Sequence, residues 1–400
     1  MKLSNDSDFS EKNLLVITPS YPNKDNTFIV DSFVKNQLEA FKKYFKNIYV
    51  IAPVLFTFKT LTKDKLCKNY SYDNIRVYYP RCYYVPIFYC RTLIDNRFKV
   101  IDSLIKEENI KFDLIHAHFT WPSSYIGVRL KEKYHRPIFV TIHENSEWLS
   151  KEISMNHPLI NSSWKNADAL LRVNKKDIPI LKQFNKNVYP ISNGFSPRFE
   201  PLDKYECRKK LNLPTEYKIL FSLGWLIERK GFNYLIDAMK IITAKRNDVL
   251  CFIGGSSPSE DELRNKVRNN LQKQIEDLKL QERVKLIGAV QDNLLPLWMN
   301  ASDIFVLPSL GEGNPVVMFE ALGCGKPFVG TKVGGVPEII ISEDYGFLCD
   351  PAKSVALADN ILLALTKEWN CGKIEEYSKQ FTWDSVARNI LEIYSKVEIF

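Results

Sequence analysis

No stretch of this 400-residue chain approaches the roughly 18 consecutive apolar residues of a membrane-spanning helix, so a spanning helix is not expected. The first residues, Met-Lys-Leu-Ser-Asn-Asp-Ser-Asp, lack the apolar core of a secretion signal. The eight cysteines, at 67, 82, 90, 207, 251, 324, 349 and 371, form no Cys-x-x-Cys pair. That argues against a zinc site or a disulfide scaffold and leaves reduced, mostly buried thiols in a cytoplasmic protein as the expectation. Histidine is scarce, with five residues, so each one matters. There is no short internal repeat. A hydrophobic fraction of 45% over this length supplies core for two domains or more.

Charge is unevenly spread. Residues 1–200 carry 30 basic against 20 acidic side chains, and residues 201–400 carry 25 against 27. A basic first half points to an anionic partner, either nucleic acid or a membrane surface. Residues 55–100 concentrate the effect and read as irregular. Nine basic residues (Lys59, Lys63, Lys65, Lys68, Arg76, Arg81, Arg91, Arg97 and Lys99) meet three acidic ones, with Tyr78, Tyr79, Tyr83, Tyr84, Phe88 and Tyr89 interleaved. This fits peripheral contact with the inner face of an anionic membrane, the tyrosines at headgroup depth. It also fits a basic loop whose tyrosines pack inside. No nucleic-acid motif supports the remaining option, and no nucleic-acid partner is expected.

The organising stretch is 304–341. Ile304 to Leu307 is a short apolar run that suits a strand buried on both faces. Pro308 to Gly313 is a loop, and Asn314 then reads as an N-cap with Pro315 at the first helical position. Val316 to Leu322 forms the helix, closed by Gly323, Gly325 and Pro327, and Gly334, Gly335 and Pro337 repeat the turn after the next strand. Two carboxylates, Glu312 and Glu320, flank the helix start with seven residues between them. Free N–H groups near a helix N-terminus offer donors and positive potential. Together these suit a ligand rich in hydroxyls and phosphate, although a single Glu in a surface loop would mean little.

The rest of the chain alternates strand and helix. Strands are expected at Leu14–Thr18, Tyr49–Ala52, Phe112–His118, Pro137–His143 and Ala169–Val173, with a helix over Val30–Tyr44 and another over Ser123–Lys133. His116, His118 and His143 fall at strand ends. One such histidine is ordinarily a core residue; three at one sheet edge suggest a site. His-x-His could also chelate a metal, but no carboxylate or third ligand is evident. After the strand Lys218–Leu223 comes Gly224-Trp-Leu-Ile-Glu-Arg-Lys-Gly231, a glycine-bounded loop that carries Arg229 and Lys230 into a helix and so suits a pyrophosphate.

The Glu312–x7–Glu320 segment and the loop at 224–231 resemble the signature of the retaining family 4 glycosyltransferases, and the resemblance spans roughly Leu14 to Tyr394. It implies the α/β GT-B fold: two Rossmann-like doubly wound domains facing a central cleft, with a C-terminal helix crossing back to the first. The expected domains are 1–197 with helix 380–400 on the acceptor side, and 198–379 on the donor side. The resemblance makes His118 and Glu312 catalytic, His118 facing the anomeric carbon and domain closure bringing the two together. It gives the donor Gly224, Arg229, Lys230, Val290, Gly313, Asn314, Pro315, Val316 and Glu320. It places Asn26, Thr27, His143 and Glu144 on the acceptor side. The chain departs from the family in several places: Trp225 stands where an Arg follows the first glycine, Glu144 replaces a glycine after His143, the loop Pro19–Thr27 lacks the Gly-Gly pair many relatives have, and Ser192-Asn193-Gly194 stands for Pro-Asn-Gly. A nucleoside-diphosphate sugar is then a substrate, no cofactor or metal is required, and the acceptor is a glycan or a lipid-linked sugar. Two other readings fit the residues: a non-catalytic sugar-nucleotide binding protein, or another GT-B enzyme such as a nucleotide-sugar epimerase.

Overall fold

A computed structural model describes residues 9–25, 32–56, 67–83, 94–256 and 262–397. The chain divides into two compact units, 1–192 with 383–400, and 193–382. The boundary falls before 193 rather than after 197, for a local reason. The Phe195 N–H bonds to the Phe381 carbonyl, and Phe195 pairs with Thr382, so the connecting segment is built into the second unit.

In the first unit the strands are β1 (Asn13–Ile17), β2 (Asn47–Ile51), β3 (Val54–Phe56), β4 (Tyr70–Tyr72), β5 (Ile75–Tyr78), β6 (Arg81–Tyr83), β7 (Leu114–His118), β8 (Ile138–Ile142), β9 (Ala169–Arg172) and β10 (Val188–Pro190). Eight of them form one sheet in the order β10-β9-β8-β7-β1-β2-β5-β4. All pairs in it are parallel except β4 with β5. β7 and β8 are buried at every residue, as a sheet covered on both faces requires. Between β1 and β7 the direction of strand addition reverses, which is where open α/β sheets bind ligands.

Residues 55–100 are not irregular where they are described. They hold β4, β5, β6 and the start of helix Ile94–Glu107. Tyr78 and Tyr79 are buried, and the Tyr79 hydroxyl donates to the Pro22 carbonyl at 2.7 Å. These two rings belong to the core, not to a membrane-facing surface. Tyr84, Phe88, Tyr89, Lys59, Lys63, Lys65 and Arg91 lie outside the described residues, as do Asn26 and Thr27. Helix Ser32–Phe41 is described from Ser32 only.

The last helix, Trp383–Lys396, closes the first unit. Its apolar face (Trp383, Val386, Ile390, Leu391, Tyr394) is buried in the same core as Leu38 and Phe41 of helix Ser32–Phe41. Tyr394 adds a polar tie: its hydroxyl lies 2.6 Å from Nδ1 of His116.

The second unit has β11 (Lys218–Leu223), β12 (Val249–Gly254), β13 (Val284–Gly288), β14 (Ile304–Leu307), β15 (Phe328–Thr331) and β16 (Gly346–Cys349). Their order is β13-β12-β11-β14-β15-β16, all parallel. This is the doubly wound dinucleotide-fold order, and its switch point lies between β11 and β14. The two strands whose following loops carry Lys230 and Glu312 are therefore neighbours.

Candidate active site

The loops after β11 and β14 interlock. The chain after Leu223 ends in a single 3₁₀ turn, Glu228–Lys230, and the Arg229 carbonyl accepts the Leu310 N–H at 2.8 Å. Lys230 Nζ stands 2.6 Å from Glu312 Oε1, and Arg229 Nη1 stands 3.1 Å from Glu312 Oε2 while also donating to the Gly311 carbonyl. Ser309 Oγ donates to Glu312 Oε1 at 2.7 Å, and the Ser309 carbonyl is held in turn by Thr331 Oγ1 at 2.5 Å. The side chains of Glu312 and Lys230 are 7% and 10% exposed and that of Arg229 37%, so Arg229 is the open member of the cluster. Burial alone would raise the pKa of Glu312. The charges of Lys230 and Arg229, with the bonds from Lys230 and Ser309, outweigh it and hold the carboxyl below its ordinary range.

Two glycines make this packing possible. A Cβ on Gly224 would meet Cε of Lys230 at 3.1 Å and Cδ at 3.3 Å, so the lysine stem runs along a bare backbone. Gly334 has φ +52, and a Cβ there would fall 2.1 Å from the Glu312 carbonyl oxygen. The second glycine turn therefore clasps the first, and the Gly335 N–H bonds to the Gly313 carbonyl at 2.8 Å.

Helix Val316–Gly323 begins one residue later than its sequence suggests. Pro315, not Asn314, holds the cap position, with φ −72 and ψ 118. That ψ is extended, so the chain becomes helical only at Val316. The Asn314 carbonyl accepts from the Asn193 side chain at 2.7 Å, which fixes Gly313 to Val316 from the side. Glu320, one turn into the helix, is 6% exposed, and burial pushes its pKa up to about 7, the nearby Arg198 charge offsetting only part of the effect. Arg198 grips Asp292 through both terminal nitrogens, Nη2 to Oδ1 at 2.6 Å. Val290 lies against Gly254 at the end of β12, where a Cβ on the glycine would meet the valine methyl at 2.8 Å.

Residues 203–381 match the family model described as "Glycosyl transferases group 1", and residues 54–198 match the one described as "Glycosyltransferase Family 4". This chain belongs to the family 4, group 1 glycosyltransferases. An uncharacterised glycosyltransferase of Methanocaldococcus jannaschii is 25% identical over 85% of this chain and 90% of its own length. Mannosylfructose-phosphate synthase of Agrobacterium fabrum is 22% identical over 72% of this chain and 70% of its own. Among solved structures, sucrose-phosphate synthase of Thermosynechococcus elongatus superposes with a TM-score of 0.77 at 19% identity, covering 97% of this chain and 99% of that one. HepE of Anabaena, solved with UDP, gives 0.74 at 20% identity, covering 96% and 100%. The fold is GT-B.

Within this glycosyltransferase, Trp225 is 38% exposed and carries no charge, so it cannot replace the arginine expected after Gly224. The second cation beside Lys230 is Arg229, reaching Glu312 from the far end of the same loop.

The histidines of the first unit form a stacked array. His116 is wholly buried between Thr141 Oγ1 (2.7 Å from Nε2) and Tyr394 (2.6 Å from Nδ1), so both its ring nitrogens are engaged and it chelates nothing. His118 stacks on it with ring centroids 4.4 Å apart, and its Nδ1 lies 3.0 Å from Nε2 of His143. Burial drives His118 and His143 well below the ordinary histidine pKa, the Arg172 charge adding to the effect at His143, so both are neutral. Their remaining nitrogens, His118 Nε2 and His143 Nδ1, are buried without a partner among the described residues. Phe119, next in sequence, takes φ +70, ψ 152, a region other residues leave to glycine, which costs about 1–3 kcal/mol and clusters at functional sites. Glu144 Oε1 accepts the Thr120 N–H at 2.7 Å, Oε2 has no partner among the described residues, and burial raises this carboxyl's pKa against its backbone bonds. Among the described residues no three His, Cys, Asp or Glu side chains gather as metal ligands.

Sequence reasoning passed over Ser309, Asn193 and the Arg198–Asp292 pair. Ser309 carried a local signal, three residues before Glu312 in the same loop. Asn193 and Arg198 lie in what reads as a linker, and only the fold brings them to residues 121 and 94 positions away.

Proposed function

We propose that this glycosyltransferase moves a sugar from a nucleoside diphosphate to a hydroxyl of a glycan or lipid-linked acceptor, with retention at the anomeric carbon and without a metal ion. The observation that carries the proposal is the Lys230–Glu312–Arg229 cluster at the β11/β14 switch point, beside the start of helix Val316–Gly323. The barrier is cleavage of the bond between the anomeric carbon and the β-phosphate oxygen, whose electron pair leaves with the diphosphate. Two cations and one carboxylate give the cluster a net positive charge, with Arg229 open to a ligand. The Met318 N–H is taken by the Pro315 carbonyl at 3.2 Å, but the N–H groups of Val316 and Val317, ahead of it in the first turn, have no helical acceptor and add donors. Charge fixed before the reaction stabilises the departing diphosphate. The acceptor oxygen attacks the face the diphosphate leaves, and its proton passes to a phosphate oxygen. Glu312, held ionised, accepts from sugar hydroxyls. Glu320 accepts from the ribose hydroxyls, Gly224 and Gly313 to Pro315 border the phosphates, and Val290 lines the base. In the first unit, His118 polarises a hydroxyl, and His143 and Glu144 serve the acceptor. That HepE was solved with UDP supports a nucleoside-diphosphate donor.

The test is transfer from UDP-, GDP- and ADP-sugars in the presence of a chelator, with the anomeric configuration of the first product read by NMR. A retained anomer formed at an undiminished rate supports the reading; an inverted product, or a rate that collapses on chelation, refutes it. The excess of basic residues in the first half supports peripheral contact with the inner face of an anionic membrane, and so a cytoplasmic setting for building surface glycans. Binding to anionic vesicles that salt reverses would bear this out, and no binding at low salt would remove it.

A further inference from the structure

A second concentration of charge lies at the opposite end of the second unit's sheet. β11 starts at Lys218, β14 at Ile304 and β15 directly after Pro327. Around these amino ends is a cavity of about 280 Å³ whose wall includes Lys204, Lys218, Lys326, Lys367 and Trp369. Asp303 is the one carboxylate on that wall among the described residues. The donor cluster occupies the carboxyl ends of β11 and β14, so this cavity is not part of it.

Three of the four lysines make no ion pair among the described residues, and the fourth shares its partner. Asp303 is already shared: Lys204 Nζ is 3.0 Å from Oδ1, Arg208 Nη2 is 2.7 Å from Oδ2, and the Ile219 N–H also bonds to Oδ2 at 2.8 Å. Lys326 is 9% exposed, and its one hydrogen bond runs to the Asn300 carbonyl at 2.9 Å, with no carboxylate within ion-pair reach among the described residues. An ammonium group has three donors, so two remain. Lys367 Nζ donates to the Glu343 carbonyl and lies 4.6 Å from the centre of the Trp369 ring, again with no carboxylate. Lys218 makes no ion pair among the described residues either. Three cations around one small cavity, one of them nearly out of water, are costly unless an anion joins them. Burial lowers the pKa of Lys326, the direction expected of a cation lacking its counter-charge.

We propose that this cavity binds a small phosphate-bearing ligand at a site separate from the nucleotide-sugar site. The ligand is either inorganic phosphate or a phosphomonoester of sugar-phosphate size. A volume of about 280 Å³ sits just below the usual range for ligand pockets, roughly 300–1,000 Å³, so the cavity takes a small phosphate ester rather than a nucleotide sugar. Trp369 supplies an apolar wall beside the charges.

Cys371, exposed and on the same wall, provides a direct readout that does not depend on sugar transfer. The rate of iodoacetamide alkylation at Cys371 is followed by peptide mass spectrometry on the full chain. Inorganic phosphate, glucose 6-phosphate, and sodium chloride at matched ionic strength are compared. A bound phosphate ligand slows alkylation by about fivefold once it reaches roughly four times its Kd, by simple mass action. Protection by glucose 6-phosphate alone identifies a sugar phosphate; equal protection by both shows that the phosphate group suffices. The protection disappears in Lys326→Met and weakens in Lys218→Ala, a change nearer the surface that serves if the first variant fails to fold. Equal rates in all three solutions, or protection that survives in a folded variant, overturn the proposal.

Discussion

Lys230 Nζ and Glu312 Oε1 stand 2.6 Å apart although 82 residues separate them in the chain. Among the described residues, Glu312 is the carboxylate Lys230 pairs with, and Lys230 and the more open Arg229 are the cations that pair with Glu312; the Lys230–Glu312 pair joins the loops after two neighbouring strands. A buried ion pair of this kind adds little net stability, because desolvation offsets the attraction, but losing one partner strands the other. On the proposed reading, the donor would meet a site whose charges are set before it arrives, Arg229 being the most exposed of the three.

Lys230→Ala should therefore do two things. Turnover falls about 10²-fold or more, because a cation that stabilises the leaving diphosphate is gone. Stability falls by about 3 kcal/mol, because Glu312 stays buried without one of its three side-chain partners. The double variant Lys230→Met/Glu312→Gln recovers most of that stability but not the activity. Urea titration beside steady-state kinetics separates the two effects, and a stable, fully active Lys230→Ala protein would end this assignment.

Arg229 and Trp225 make opposite predictions. If Arg229 is the second cation, Arg229→Ala loses at least about tenfold in kcat/KM, while Trp225→Ala stays within roughly twofold. Kinetics on the two variants with one donor settles the matter. The reverse ranking would mean that the exposed indole does the work expected of an arginine at that position.

Glu320 gives a signature in pH. Its carboxyl titrates at about 7 in the fold against an ordinary 4.5, so between those values the folded state holds a proton that the unfolded state has lost. The resulting stabilisation is full below 4.5 and lost as pH rises through 7. Glu320→Gln cannot ionise. It should match the wild type in Tm near pH 4.5 and exceed it at pH 8. Parallel Tm curves across this range would show that Glu320 is not desolvated in the way described.

Tyr394→Phe tests how the last helix is held. Removing the hydroxyl leaves Nδ1 of wholly buried His116 without its 2.6 Å partner, at a cost of about 1–3 kcal/mol. Denaturant unfolding should show this loss while turnover per folded molecule is unchanged.

Much of the architecture was legible because it is carried by local patterns. The 304–341 segment announced a strand, loop and helix through an apolar run and its glycines, and the final helix through its apolar face. What escaped was set by distant partners. β4 and β6 are three residues each, too short for an alternation to show, and exist because β5 and β3 lie beside them. Tyr78 and Tyr79 looked like surface aromatics only because their burial depends on β5 joining the large sheet and, for Tyr79, on Pro22. Asn314 has the chemistry of a cap, but the following proline takes the position. The pairing of Glu312 with Lys230 was not readable from either loop alone, since it follows from β11 and β14 being neighbours, which is a property of strand order. Helix Ser146–Met155 did carry a local signal, Asn145 capping the Trp148 N–H at 2.8 Å.

The most direct test of the central claim is release of nucleoside diphosphate from a panel of UDP-, GDP- and ADP-sugars, measured on the wild type and on Lys230→Ala without added metal. One donor class should stabilise the wild-type protein thermally and be turned over by it, with turnover falling about 10²-fold in the variant. A folded wild-type protein that neither binds nor turns over any of these donors, or a variant that matches it, would contradict the account.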